Sequence, residues 1–139
     1  MDHDEIAEMI KRHEGYSNKV YFDTEGIPTV GWGHALIPGS EYPLSMSIKH
    51  FEIDFGSALK DYRRLGLKLD SIREAVLVNM VFNLGLPRLM GFKKMIAALR
   101  VEDWGEAANQ MVDSKWYRQV GVRGRELVKM MRTGEGYII

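Results

Sequence analysis

Residues 72–84 read Ile-Arg-Glu-Ala-Val-Leu-Val-Asn-Met-Val-Phe-Asn-Leu, apolar almost all round, and a helix with no polar face has to lie in the middle of a bundle. Ser71, with Glu74 three residues on, has capping-box spacing and marks its start. Shorter helices must pack around it, and the sequence offers them at 91–99, 103–113, the Ser114-Lys115-Trp116-Tyr117 stretch and 123–132.

The first third of the chain follows another rule. Asp2 and Glu5 form a second capping box, after which Ile6, Met9, Ile10 and His13 recur at helical spacing until Gly15 stops the helix just past Glu14. Residues 18–36 lose that period and bring in Gly26, Pro28, Gly31 and Gly33, which predicts a twisted hairpin or three-stranded sheet with the Pro28 strand at an edge. Ile37-Pro38-Gly39-Ser40 and Tyr42-Pro43 then make a loop. Ser45 or Ser47 is placed to cap the next helix, whose buried face is expected to be Ile48, Phe51, Phe55, Leu59 and Tyr62, with Gly66 ending it. The predicted class is α+β: a small hairpin lobe beside a larger helical lobe, with a cleft between them.

Composition narrows the functions open to such a fold. A chain of 139 residues, 45% hydrophobic, is long enough for one domain with a real core. With no cysteine, disulfides, thiolate chemistry and cysteine-held zinc are excluded. The 19 basic and 19 acidic side chains cancel, which argues against nucleic-acid binding driven by bulk charge. The balance is uneven, however: residues 1–70 hold 8 Lys/Arg against 12 Asp/Glu, a net of −4, and residues 71–139 hold 11 against 7, a net of +4. The basic half is able to attract an anionic polymer, although solvated surface accounts for it equally well. No apolar run approaches the roughly 18 residues that span a bilayer, and the acidic start Met1-Asp2-His3-Asp4-Glu5 is unlike a secretory signal, so the chain is expected to fold in the cytosol without a signal peptide or membrane insertion. A monomer is the default expectation.

Glu14, Asp23 and Thr29 carry the candidate chemistry. Nine residues separate the two carboxylates, two and a half helical turns, so one helix would set them on opposite sides; the break at Gly15 and the Val20-Tyr21-Phe22 strand can bring them together. Each also has an ordinary explanation. Glu14 could be a solvated carboxylate at a helix end, where the dipole's negative pole and partial burial disfavour its charge as a proton donor requires. Asp23 could be a turn former, Thr29 a strand former and His34 a hydrogen-bonded structural histidine. Glu25 competes with both carboxylates and is demoted by its place at the turn tip. His3 and His13 stand ten apart, no His-Glu-x-x-His pattern occurs, and no metal or cofactor is assigned. Gly31-Trp32-Gly33 lacks the lysine and following helix of a nucleotide site; its glycines fit the close approach of a sugar chain. Trp104, Trp116 and Tyr117 could stack on sugars, but aromatics on helices are more often core.

Taken together, Glu14-Gly15 and Tyr21-x-Asp23-x-x-Gly26-x-x-Thr29-x-Gly31-x-Gly33-His34 resemble the active-site signature of the phage-type lysozymes, the endolysin family of T-even bacteriophages and glycoside hydrolase family 24. The likeness continues through Asn79-Met80-Val81-Phe82-Asn83-Leu84-Gly85, Gly91-Phe92, Trp104-x-Glu106-Ala107-Ala108, Ser114-Lys115-Trp116-Tyr117 and Arg132-Thr133-Gly134. It implies a lysozyme-like fold with a hairpin lobe at about 14–45, a helical lobe at about 1–13 and 66–139, and a connecting helix at about 45–65. It further implies hydrolysis of the β-1,4 bond between N-acetylmuramic acid and N-acetylglucosamine in bacterial peptidoglycan, and release from the host cytoplasm to reach the wall. Glu14 would be the general acid, Asp23 the carboxylate that positions or activates water, and Thr29 a hydroxyl holding that water. Arg123 falls where the family pairs an arginine with the catalytic glutamate, a charge that would oppose the repulsion at the helix end. Gly33, His34, Phe82, Asn83 and Arg123 itself are implied as substrate-binding positions. The segment after His34 is shorter than in the best-known member, Ala35 replaces a larger apolar residue, and Glu135-Gly136-Tyr137 stands where a tryptophan-bearing tail is expected.

The resemblance implies inversion, which needs carboxyl groups about 6.5–9.5 Å apart, against about 5–5.5 Å for a covalent route. Two alternatives remain at this level. A lytic transglycosylase would cut the same bond with one glutamate and no water, and a non-catalytic peptidoglycan-binding module would not need Glu14.

Overall fold

The computed structural model describes residues 1–37 and 40–136. The loop expected at Ile37-Pro38-Gly39-Ser40 and the tail at Glu135-Gly136-Tyr137 fall partly outside them.

Helix α1 (His3–Glu14) opens on the predicted box: Asp2 accepts from the Glu5 backbone N–H at 2.8 Å, and the Asp2 N–H donates to the Glu5 carboxylate at 3.2 Å. It buries Ile6, Met9 and Ile10 and stops at Gly15, whose φ of 68° and ψ of 163° lie in a region essentially closed to side-chain-bearing residues. The chain therefore leaves the helix sharply and enters an antiparallel sheet of β1 (Ser17–Phe22), β2 (Pro28–Gly31) and β3 (His34–Ala35), in the order β1-β2-β3. Tyr21 pairs with Thr29 and Val30 with His34, and the β1–β2 register shifts between Ser17 and Tyr21.

Pro28 does not sit on an edge strand as expected, because β2 lies between the other two. It is tolerated as the first residue of its strand, where its carbonyl still accepts from the Leu36 N–H.

The long helix α2 (Leu44–Arg64) starts earlier than predicted. Pro43 precedes it with no side-chain cap, and Ser45 and Ser47 both lie inside the helix. Ser47 is instead buried against Gly31 of β2, which brings α2 close to the sheet. The buried stripe runs Ser47, Phe51, Ala58, Tyr62, with Phe55 and Leu59 half-buried beside it and Ile48 exposed. Gly66 lies just past the helix end, as expected.

Helix α3 (Ser71–Leu84) is the centre of the molecule, with Arg73 and every residue from Ala75 to Val81 buried. Its cap is Asp70, not Ser71: the Asp70 carboxylate accepts from the N–H groups of Ile72 at 3.1 Å and Arg73 at 3.0 Å. Around it pack α1, α2, the short α4 (Leu86–Met90) and α8 (Val122–Thr133), while α5 (Lys93–Arg100), α6 (Trp104–Val112) and α7 (Lys115–Val120) complete the bundle. Helix α4 has no counterpart in the sequence reading, because five residues hold too little of a helical period to register. The fold is α+β, mostly helical with one small antiparallel sheet. Among the described residues, no helix is long and apolar enough to cross a membrane.

Candidate active site

Glu14 is the last residue of α1, and its side chain is 16% exposed. From α8, the buried Arg123 donates from Nη1 to Glu14 Oε1 at 2.8 Å, a charge-assisted bond in a partly buried setting. The other oxygen, Oε2, faces the β2–β3 turn: a Cβ at Gly33 would stand 2.7 Å from it. Gly33 thus closes on the carboxylate as only a residue without a side chain can, and its φ of 78° suits glycine too.

Asp23 follows β1 directly. Its Oδ1 accepts from the N–H groups of Glu25 at 2.9 Å and Ile27 at 2.8 Å, so this oxygen does the turn-forming work that Asp commonly does. Asp23 is half-buried, while Glu25 at the turn tip is exposed. Thr29, opposite Tyr21 on the central strand, is buried and donates from Oγ1 to the Ile27 carbonyl at 2.8 Å. Its one proton is thereby committed, and only acceptor lone pairs remain.

Tyr21, on β1, lies in the field of both carboxylates. Burial raises its pKa first, and the charges of Glu14 and Asp23 raise it further. The break at Gly15 and the Tyr21–Thr29 register fix the path of the chain from Glu14 to Asp23.

A hollow of about 200 Å³ lies beside this group, lined by Gly33, Asp54, Ala58, Asp61, Val81 and Phe82. Gly33 and Phe82 both line it. His34 stands one residue back and holds Asp54, Nδ1 to Oδ2 at 2.7 Å. Asn83 is turned the other way, accepting from the Trp116 indole at 2.7 Å. Trp116 is buried, and Trp104, half-buried, lies against the Arg73 guanidinium, so both indoles serve packing. A larger hollow of about 500 Å³, including Phe92, Lys93, Lys94, Lys115 and Trp116, holds a single carboxylate, Asp113. The smaller hollow borders Glu14 through Gly33 and carries two carboxylates of its own, Asp54 and Asp61, both from α2. Among the described residues, no group of three or more His, Cys, Asp or Glu side chains is arranged to hold a metal ion.

The phage lysozyme family model matches residues 11–133, a span that holds Glu14, Asp23, Thr29, Gly33, Phe82 and Arg123. The chain belongs to the phage lysozyme family. Its class is that of a lysozyme-type glycoside hydrolase, and at family level its substrate is peptidoglycan. Over 93% of its length the chain is 28% and 27% identical to the probable T4-type lysozymes 1 and 2 of Dictyostelium discoideum, covering 94% of each. It is also 29% identical to the pre-baseplate central spike protein Gp5 of Enterobacteria phage T4, of which it spans just 28%.

Within this phage lysozyme framework, several residues behind Glu14 escaped the sequence reading. Arg123 also donates from Nε to Asn79 Oδ1 at 2.9 Å, and Asn79 Nδ2 lies 3.1 Å from His13 Nδ1. His13 Nε2 lies 2.6 Å from Glu126, which Arg12 also grips. The available signal was the placement of His13 immediately before Glu14 and of Glu126 one helical turn after Arg123.

Proposed function

We propose that the chain hydrolyses the β-1,4 bond between N-acetylmuramic acid and N-acetylglucosamine of bacterial peptidoglycan, with inversion, in a cleft between the sheet and the helical bundle. Glu14 donates the proton to the leaving oxygen through Oε2, the oxygen that Arg123 leaves free. Water attacks from the opposite face, its two protons accepted by Asp23 through Oδ2 and by Thr29 Oγ1, so that a lone pair on the water points at the anomeric carbon. Asp23 takes up the proton released as the new bond forms, and Gly33 and Phe82 line the sugar path. Fixed donors and acceptors aimed at where charge develops supply the catalysis.

One observation carries this proposal: Glu14, bonded at Oε1 by Arg123 and faced at Oε2 by Gly33, ends the helix that Gly15 turns into the strand leading to Asp23. It is tested by digesting peptidoglycan in heavy-oxygen water. Wild type should release muropeptides with one labelled reducing end, first as the α anomer; Glu14→Gln and Asp23→Asn should each lose lysis of a wall suspension by two orders of magnitude or more, roughly the value of a positioned acid or base. An unlabelled anhydro product would make the chain a transglycosylase. Undiminished wall binding and lysis by Glu14→Gln would remove Glu14 from the chemistry, and a β-anomer first product would overturn inversion.

A further inference from the structure

Behind Glu14 runs a chain of hydrogen bonds whose polarity is fixed at one end. Arginine has only donors, so Arg123 Nε can meet only the oxygen of the Asn79 amide, at 2.9 Å. The amide NH2 must then face His13, where Asn79 Nδ2 and His13 Nδ1 stand 3.1 Å apart. Nδ1 must accept, which leaves the ring proton on Nε2, 2.6 Å from the Glu126 carboxylate. Glu126 is held in turn by both terminal nitrogens of Arg12, at 3.3 and 3.0 Å. Every link closes with a neutral His13, and only with its Nε2–H tautomer.

We propose that His13 is a positioning residue for the reaction: neutral, it locks the Asn79 amide and so holds Arg123 on Glu14, and a second proton on its ring releases the lock. That proton would set Nδ1–H against the amide NH2, donor to donor. To escape, Asn79 must turn over, which faces its NH2 to Arg123 Nε and breaks the bond that seats the guanidinium. Arg123 is 7% exposed and has no solvent to replace the lost acceptor.

The surroundings favour the neutral ring. The His13 side chain is 3% exposed, with Glu126 and Arg123 facing it from α8, uncharged Asn79 from α3, and Arg12 on its own helix. Burial pushes its pKa below the usual 6.5; the hydrogen bond to Glu126 opposes this, and the charges of Arg123 and Arg12 add to it. Glu126 is likewise lowered, since the bonds from Arg12 and His13 outweigh its own burial. Both directions describe a neutral imidazole donating to a carboxylate.

The inference rests on Glu14 as the proton donor, and the test separates the two. In nitrogen-15 spectra of histidine-labelled enzyme at neutral pH, His13 should show a protonated Nε2 and a bare Nδ1. Lysis rates should show an acid-side fall in kcat with a midpoint below 6.5, coinciding with His13 protonation. His13→Leu should cut kcat by up to about a hundredfold with KM unchanged, the size expected when a reacting group shifts by about an ångström. His13→Asn, whose oxygen can stand in for Nδ1, should recover part of that loss and abolish the acid-side step. An Nδ1–H tautomer, or an acid limb unchanged in His13→Asn, would overturn the proposal, and these two readouts stand even if His13→Leu fails to fold. Full activity in Glu14→Gln would instead sink the role of Glu14, leaving the tautomer measurement intact.

Discussion

The Glu14 carboxylate is held from two sides, and the holders differ in kind. Arg123 bonds to Oε1, whereas Gly33 contributes only the absence of a side chain, since its Cβ would stand 2.7 Å from Oε2. Gly33→Ala must therefore push the carboxylate aside or open the β2–β3 turn, and it also places a side chain at φ 78°. The backbone strain alone costs about 1–2 kcal/mol, which a folded protein survives; the displaced carboxylate should cost activity far more. Thermal melts and lysis assays on Gly33→Ala should show a modest fall in Tm with activity reduced by about a hundredfold, and a stable, fully active variant would show that Glu14 has room to spare. Asp23 shows the limit of reading single residues. The turn role and the proposed catalytic role are compatible, because the turn is tied through Oδ1 alone.

At the scale of elements, patterns of burial were legible and end-points were not. The apolar run at 72–84 did predict the central helix, because an all-round apolar helix has one stable location. Its cap lies one residue earlier than the spacing predicts. Ser71 and Glu74 have the right spacing, but Asp70 reaches two backbone N–H groups and also receives the Arg73 guanidinium at 3.0 Å, and that competition depends on side-chain geometry. The Pro28 strand was misplaced for a related reason, since strand order depends on where β3 returns. Centre and end of α3 should differ in energetic weight. Leu77→Ala, at a fully buried position, is expected to cost about 2–5 kcal/mol, against about 1 kcal/mol for the lost cap in Asp70→Ala. The cap also carries a pH signature: burial of Asp70 is outweighed by hydrogen bonds from Arg73, which hold its pKa below 3.8. A lowered acid stabilises the fold above its unfolded value and loses that contribution as the pH falls through the folded one. Urea titrations should therefore show Asp70→Ala less stable than wild type at neutral pH, with the gap narrowing below pH 3.8; a gap constant with pH would remove the carboxylate as its cause.

Across the whole molecule, the first helix and the last are joined through the centre. His13 and Arg12 of α1 reach Glu126 of α8 over more than a hundred residues of sequence, and Asn79 of α3 closes the network from inside. No local pattern announces such a join. In sequence His13 is one member of an apolar stripe beside Glu14 and Glu126 one charge a helical turn past Arg123, and nothing local pairs the two until the fold sets them 2.6 Å apart. The consequence for stability follows from the lowered pKa of His13, caused first by its burial. Between the ordinary value of 6.5 and the lower folded one, the unfolded chain binds a proton that the native chain refuses. Stability is then complete above 6.5 and declines as the pH falls through that window, levelling once the native histidine is also charged. Glu126→Gln removes a charge and hydrogen bond that favour protonation, so the folded value should drop further and the decline should reach to lower pH. Denaturant titrations of wild type, His13→Asn and Glu126→Gln between pH 8 and 4 should therefore show an acid-side loss in wild type, a smaller one in His13→Asn and a larger one in Glu126→Gln. Equal losses in all three would mean that the acid sensitivity of the fold arises elsewhere.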